Sequence, residues 1–324
     1  MKKVAVFLMI VPAAIISVAM GGWDGYAPVA EAQLTVKVVD DVGSPVGSAL
    51  ISLGFFNMRN PEAGTRVECY TDPNGYAVLI GQTSGELAYW ISKDGYYDSN
   101  GGYKKWMKIW RPPSSNIENG RWQPWNPTLD VVLKKISDPV PMYVKSVRTD
   151  IPAENKPIGF DLEKGDWVLP YGAGAHSDIL FKLYRDLNSW QDYRSSLTLT
   201  FPNKEDGIKN VYASHKEGPK YAMPYSAPQD GYSTNLFFKE SYRNYQEERE
   251  DQNYVFRVRT VLDGNGEIKS ALYGKIHGNI LFDVRGSETA SLLFKYYLNS
   301  TSNDRNIEFD PDKNLFGGRD RFAP

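Results

Sequence analysis

From residue 253 to residue 284 the chain alternates apolar and polar positions with a period of two, and this is its clearest pattern. The spacing predicts two long strands, 254–262 and 267–282, joined by Asp263-Gly264-Asn265-Gly266. Asp-Gly and Asn-Gly both tolerate the positive φ angles of tight hairpins, so the break falls where turn chemistry requires it. In the second strand Ile268, Leu272, Ile276, Ile280 and Phe282 share one face, with Ser270, Gly274 and Gly278 between them. Lys269, Tyr273, Lys275, His277 and Asn279 take the other face, which predicts a sheet buried on one side only. The glycines on the apolar face predict room for a large partner side chain, or a bend.

The first half reads the same way. Alternating segments at 34–40, 46–53, 76–80, 87–92 and 128–133 are separated by turn signals at Asp41–Pro45, Thr71–Gly75 and Lys93–Gly95. Short strands at this spacing predict a sandwich. Residues 136–141, with Pro139 and Pro141, read as a stiff linker. Beyond it, further strands are expected at 142–147, 179–185, 195–201 and 290–298, with a polar surface interval over 202–228. Residues 242–252 read as a short helix or exposed loop, and 299–324 as an extended polar tail. The expectation is an all-β chain of two β-sandwich-type domains, 33–135 and 142–298.

Several of these residues carry a resemblance. Val36-x-Val38-x-Asp40, then Gly43-x-Pro45-Val46 and Ala49-x-Ile51, then Thr71-Asp72-x-x-Gly75-Tyr76, then Gly95-Tyr96 resemble the carboxypeptidase regulatory-like domain. The resemblance covers roughly residues 33–135 and implies a prealbumin-like β-sandwich, a module appended to many exported bacterial proteins and not itself the peptidase. The chain departs from the pattern in two places. The glycine usual before the first strand is missing, and a long segment precedes the closing strand. The second half resembles uncharacterised exported bacterial proteins, which implies no activity.

That inserted segment, 100–127, holds Tyr103, Trp106, Trp110, Trp122 and Trp125, with prolines and the cations Lys104, Lys105, Lys108, Arg111 and Arg121 interleaved. Exposed tryptophans beside cations could stack on sugar rings or hold a peptide, so these five aromatics are the candidate ligand-binding residues. The competing reading is that a long loop needs a small core of its own, which Trp–Pro contacts would supply.

The start of the chain has the build of a signal peptide over 1–32. Met1-Lys2-Lys3 precedes an apolar run over 4–20, and cleavage is read at Ala30-Glu31-Ala32 before Gln33, or earlier at Ser17-Val18-Ala19. A retained anchor is the alternative, although seventeen apolar residues are short for a bilayer. The expectation is an exported protein, periplasmic or extracellular, with no stable membrane span once the signal is cleaved. The single cysteine, Cys69, excludes an internal disulfide and reads as a small buried apolar residue.

With 37 basic against 39 acidic residues over 324, a nucleic-acid partner is not expected. Twenty-one tyrosines and eight tryptophans favour strands. The three histidines, His176, His215 and His277, lie outside metal-ligand spacing, and no Gly-x-Ser-x-Gly elbow, Walker loop or dinucleotide fingerprint occurs. Asp310-x-Asp312-x-Asn314 resembles the start of a calcium loop, but Leu315 stands where glycine is required and Arg321 where glutamate is. No metal, cofactor or catalytic residue is therefore expected.

Two acidic groups remain for a carboxylate-dependent glycoside hydrolase. They are Asp161, Glu163 and Asp166 around Trp167, and the run Glu247, Glu248, Glu250 and Asp251. The reading reached from the sequence is an exported, non-catalytic binding or structural protein, with a cell-surface polysaccharide or a protein as partner. The alternatives are a glycan-binding module using the Trp-rich segment, a carboxylate-dependent hydrolase, and assembly through edge strands.

Overall fold

The computed structural model describes residues 28–58, 60–104, 106, 116–214, 216–245, 248–286, 288–317 and 322–324. Trp110 and His215 lie outside the described residues, as does the apolar run over 4–20. Among the described residues no helix is long and apolar enough to cross a membrane.

The chain is all-β. Its first ten strands are β1 (Ala30–Asp40), β2 (Leu50–Phe55), β3 (Thr65–Tyr70), β4 (Tyr76–Thr83) and β5 (Leu87–Ser92), then β6 (Tyr96–Tyr97), β7 (Ser99–Tyr103), β8 (Ile117–Glu118), β9 (Arg121–Trp122) and β10 (Thr128–Lys135). Next come β11 (Val140–Asp150), β12 (Pro157–Asp161), β13 (Asp166–Trp167), β14 (Ile179–Ser189), β15 (Asp192–Thr200), β16 (Gly207–Tyr212) and β17 (Gly218–Pro219). The last are β18 (Asn235–Ser241), β19 (Gln252–Leu262), β20 (Ile268–His277), β21 (Leu281–Asp283), β22 (Ser291–Asn299) and β23 (Phe309–Asn314).

Two sandwiches result. In the first, β1 lies between β4, antiparallel, and β10, parallel. Its other sheet runs β17-β7-β5-β2-β3. Strict alternation in β1 sends Ala30, Ala32, Leu34, Val36 and Val38 into the core between them. The Thr71–Gly75 turn locks this core to its rim. Thr71 Oγ1 donates to the Val46 carbonyl and accepts from Ala49 N–H, while Asp72 Oδ1 accepts from Asn74 and Tyr76 N–H. Gly75 sits at φ +81, where a Cβ would stand 2.4 Å from the Val38 carbonyl, so only glycine fits there.

The second sandwich packs β13-β12-β14-β15-β18 against β16-β19-β20-β22-β11-β23. Its core includes Phe160, Trp167, Phe181, Phe256, Phe294 and Tyr296. The expected hairpin forms as β19 and β20, and Gly274 does admit a large neighbour, with Phe256 Cζ only 2.3 Å from where its Cβ would be.

The other face of β20 is not solvated as its alternation suggested. Tyr273 and Lys275 are buried in a third apolar cluster with Met142, Tyr221, Met223, Tyr297, Ile307, Phe309 and, from the first sandwich, Tyr97. Residues of the expected surface interval and of the expected tail cover this face. Tyr221 and Met223 come from the first, and Ile307 and Phe309 from the second, where β23 also pairs with β11.

The same cluster joins the sandwiches. Glu308, fully buried, accepts from Tyr97 Oη at 2.8 Å and from the N–H groups of Ser137 and Asp138 at 2.9 and 2.8 Å. It thereby clamps the linker. β17, within the second half of the chain, completes the edge of the first sandwich by pairing with β7.

Candidate functional site

The four candidate aromatics among the described residues, Tyr103, Trp106, Trp122 and Trp125, do not form an exposed platform. Tyr103, Trp106 and Trp122 are buried at 3, 0 and 0 % exposure. Tyr103 and Trp106 meet edge to face with centroids 4.7 Å apart. Trp106 Nε1 donates to the Pro124 carbonyl and Trp122 Nε1 to the Thr83 carbonyl, so both indoles find the polar partner that burial demands. Trp125 is half-buried beneath the Arg121 guanidinium, 4.6 Å from the ring centre. Tyr103, Trp106 and Trp122 extend the core of the first sandwich.

The acidic cluster around Trp167 is also committed elsewhere. Arg259 sits at φ +56 where the β19–β20 register shifts. From there its guanidinium grips Asp178 through two bonds of 2.7 and 2.9 Å, Glu163 at 2.6 Å and Asp161 at 3.1 Å. Burial acts to raise the Asp161 carboxyl, but N–H donors from His176, Ala175 and Lys164, with Arg259, hold it below the usual carboxylate range. Asp166 accepts from Trp167 and Ala173 N–H. These carboxylates hold loops and an arginine together, and none of Asp161, Asp166 and Asp178 is left to face another across a cleft. Cys69, half-buried on β3, has its thiol pushed up by burial, which makes it less reactive. Among the described residues no group of three metal-ligating side chains occurs.

A different aromatic is exposed. On β5, Leu87, Tyr89 and Ile91 point into the core, so Ala88 and Trp90 point out, and Trp90 keeps 42 % exposure. Across the outer face Trp90 stands between Ser52 of β2 and Asn100 of β7. The neighbouring row is Gly54, Ala88 and Gly102, bordered by Arg66. Three small residues beside an indole leave a trough of about 670 Å³. Neither glycine is forced by packing: a Cβ at Gly54 would meet only the Ala88 carbonyl at 3.9 Å, and one at Gly102 would approach nothing closer than 3.5 Å. Both have φ in the ordinary range for any residue. What a side chain would occupy there is the trough itself.

The far wall belongs to the second half of the chain, with Lys216 and Glu217 leading into β17. Lys220 lies 4.5 Å from the Trp90 ring centre and is tied to Asp98 at 3.0 Å. The cations of this wall and rim have carboxylate partners: Arg66 with Glu68, Lys104 with Glu86, Lys216 with Glu250 and Lys220 with Asp98. The trough is aromatic and polar, with its cations paired and the Glu217 carboxylate without a salt bridge among the described residues. Its one sequence signal was available, because alternation against Leu87, Tyr89 and Ile91 puts Trp90 outside. The glycines that make the depression lie on other strands, 36 and 12 residues away by numbering.

No family model matches the chain, and no curated protein matches it. Among solved structures it is similar to 3-chlorocatechol 1,2-dioxygenase from Rhodococcus opacus, at 16 % identity and TM-score 0.25 over 33 % of this chain and 60 % of that one. The chain thus spans less than two thirds of that dioxygenase. It is also similar to a candidate carbohydrate binding protein from Bacteroides uniformis, at 11 % identity and TM-score 0.20 over 84 % of this chain and 98 % of that one. A streptococcal ancillary pilin is similar at 9 % identity and TM-score 0.19, over 81 % of this chain and 58 % of that one. At such scores these likenesses carry no argument about activity, and the β-sandwich assignment rests on the strands described above.

Proposed function

We propose that this chain is an exported, non-catalytic binding protein that takes a neutral glycan in the Trp90 trough. Its first sandwich belongs, in this reading, to the carboxypeptidase regulatory-like modules. The observation that carries the proposal is the pairing of an exposed indole with two glycines that packing does not require. A sugar ring stacks its C–H face on an indole and needs backbone-level clearance beside it. Asn100, flanking Trp90, supplies an amide for sugar hydroxyls, while the buried Ser52 hydroxyl on the other side is already held by Arg66 Nε. The paired cations leave no free positive charge for an anion, and the Glu217 carboxylate of the far wall would repel one, so an uncharged ligand is favoured.

The test is a panel of neutral soluble oligosaccharides titrated against the full chain, with Trp90→Ala and Gly102→Leu alongside. Binding by the wild type that both variants lose, with unchanged melting temperatures, is the expected result. Failure of the whole panel, or binding that survives in Trp90→Ala, overturns the reading.

A further inference from the structure

The outer face of β14-β15-β18, on the second sandwich, carries a second depression, and it differs from the first in charge. Register places Tyr184, Ser196 and Lys239 in one row across the three strands, and Asp186, Arg194 and Ser241 in the next. Between them lies a pocket of about 360 Å³, within the size range of small-ligand sites. Ser196 forms the low point, because it stands between the longer Tyr184 and Lys239. Tyr184 is 49 % exposed and forms an aromatic wall. Asn244 closes one end, fixed by a reciprocal pair of backbone bonds with Ser241 at 2.9 and 3.0 Å.

The cations here stand apart from those of the Trp90 trough. Among the described residues Arg194 and Lys239 take part in no salt bridge, although Asp186 lies directly across from Arg194 on the same face. Lys239 Nζ has only the Phe237 ring, 5.4 Å away. Lys182 shares this face one row beyond Tyr184. Lys182, Arg194 and Lys239 against the two carboxylates Asp186 and Asp192 leave the face net positive by one charge. Glu240, which also borders the pocket, turns to the opposite side of the sheet, where its carboxylate accepts from Tyr193 Oη. The two cations nearest the pocket sit on adjacent strands and project over it.

We propose that this pocket binds an anionic sugar, a uronate or a sulfated residue, as a second site separate from the Trp90 trough. The guanidinium of Arg194 offers a planar fork to the carboxylate or sulfate oxygens, and Lys239 adds a point charge from the neighbouring strand. Tyr184 takes the ring face, while Ser196, Ser241 and Asn244 address hydroxyls. The proposal stands on its own residues and does not need the neutral-glycan reading of the first trough.

The experiment is calorimetric titration of the full chain with trigalacturonate, with its methyl-esterified neutral form, with a sulfated disaccharide and with a short polyglutamate. The wild type, Trp90→Ala and the double variant Arg194→Gln/Lys239→Gln are compared. The expected result is binding of trigalacturonate or the sulfated disaccharide that weakens about tenfold or more in the double variant and is unaltered in Trp90→Ala. Which of the two binds assigns carboxylate or sulfate. The two substituted side chains carry no structural ion pair, so melting temperatures are expected to agree within about 2 °C. Four results would each overturn the proposal: no binding of either anionic sugar, equal binding of the methyl ester, equal binding of polyglutamate, or loss of acid-sugar binding in Trp90→Ala. Failure of the neutral panel with success here would reject the first site alone.

Discussion

The Lys275 ammonium lies 4.4 Å from the centre of the Tyr221 ring and makes no hydrogen bond in a fully buried setting. Tyr297 faces it at 4.6 Å, and Lys134 of the first sandwich approaches the same Tyr221 ring at 4.6 Å. Two amines therefore share aromatic walls where the sandwiches meet, with Glu308 and Lys295 the further charged groups around Lys275. Burial drives Lys275 well below the usual lysine value of 10.5; Glu308 opposes this, and Lys134 and Lys295 reinforce it.

The pH consequence follows from that direction. An unfolded chain holds the Lys275 proton up to the ordinary lysine range, whereas the folded chain releases it earlier, so this residue's contribution to stability improves as pH rises between the two values. Below the folded value its cost is present in full. Lys275→Met is expected to gain about 1–3 kcal/mol near neutral pH, a rise of several degrees in Tm. The gain should shrink as pH is raised. Thermal melts of both proteins from pH 6 to 9.5 check this, and a lower Tm for the variant at every pH would refute it.

Arg259 is the counterpart in the second sandwich. Arg259→Leu leaves Asp161 and Asp178, each 1 % exposed at the side chain, buried without their cation. A loss of about 3–5 kcal/mol is expected at neutral pH. The deficit relative to the wild type should narrow in acid, because the orphaned carboxyls can then take up protons. Urea unfolding at pH 7 and pH 4.5 reads the difference, and a deficit that widens in acid would contradict the assignment.

Gly274 has no spare space. A Cβ there would lie 2.3 Å from both the Phe256 ring and the Tyr297 carbonyl oxygen, and the latter is backbone that cannot rotate away. Gly274→Ala is expected to cost about 3 kcal/mol, whereas Gly102→Ala should change stability by less than about 1 kcal/mol, since nothing crowds it. Equal effects of the two substitutions in denaturant titrations would show that close approach is not what fixes Gly274.

Trp122 and Trp90 should separate stability from binding. Trp122→Ala removes a fully buried indole and is expected to cost about 3–5 kcal/mol. Trp90→Ala should leave the melting curve nearly unchanged while removing the glycan response. Paired melts and titrations distinguish them, and a Trp90 variant that melts like the Trp122 variant would mean Trp90 is a packing residue.

The sequence by itself determined the strands and the turns. Period two in residues 254–262, the Asp263–Gly266 break, the inward row of β1 and the Thr71–Gly75 turn all depend on neighbours a few residues apart, so the local pattern carries them. It also determined the all-β class, because nothing in the apolar spacing after residue 33 supports a long helix. Alternation states which side of a sheet a residue faces, and it is silent on what covers that side. Lys275 and Tyr273 therefore read as solvent-facing and His277 as solvated or at an interface, although Tyr221, Met223, Ile307 and Phe309 from two distant segments cover the face that Lys275 shares with Tyr273. The aromatic residues of 100–127 posed the same ambiguity, since Tyr103, Trp106 and Trp122 would stack on a ligand or on each other with equal chemistry. Only the tertiary structure decided it, by placing the Thr83 and Pro124 carbonyls where those indoles could donate. It also decided where the depressions lie, because a trough needs short side chains on several strands at one height. Gly54, Ala88 and Gly102 come to one row only through pairing across β2, β5 and β7.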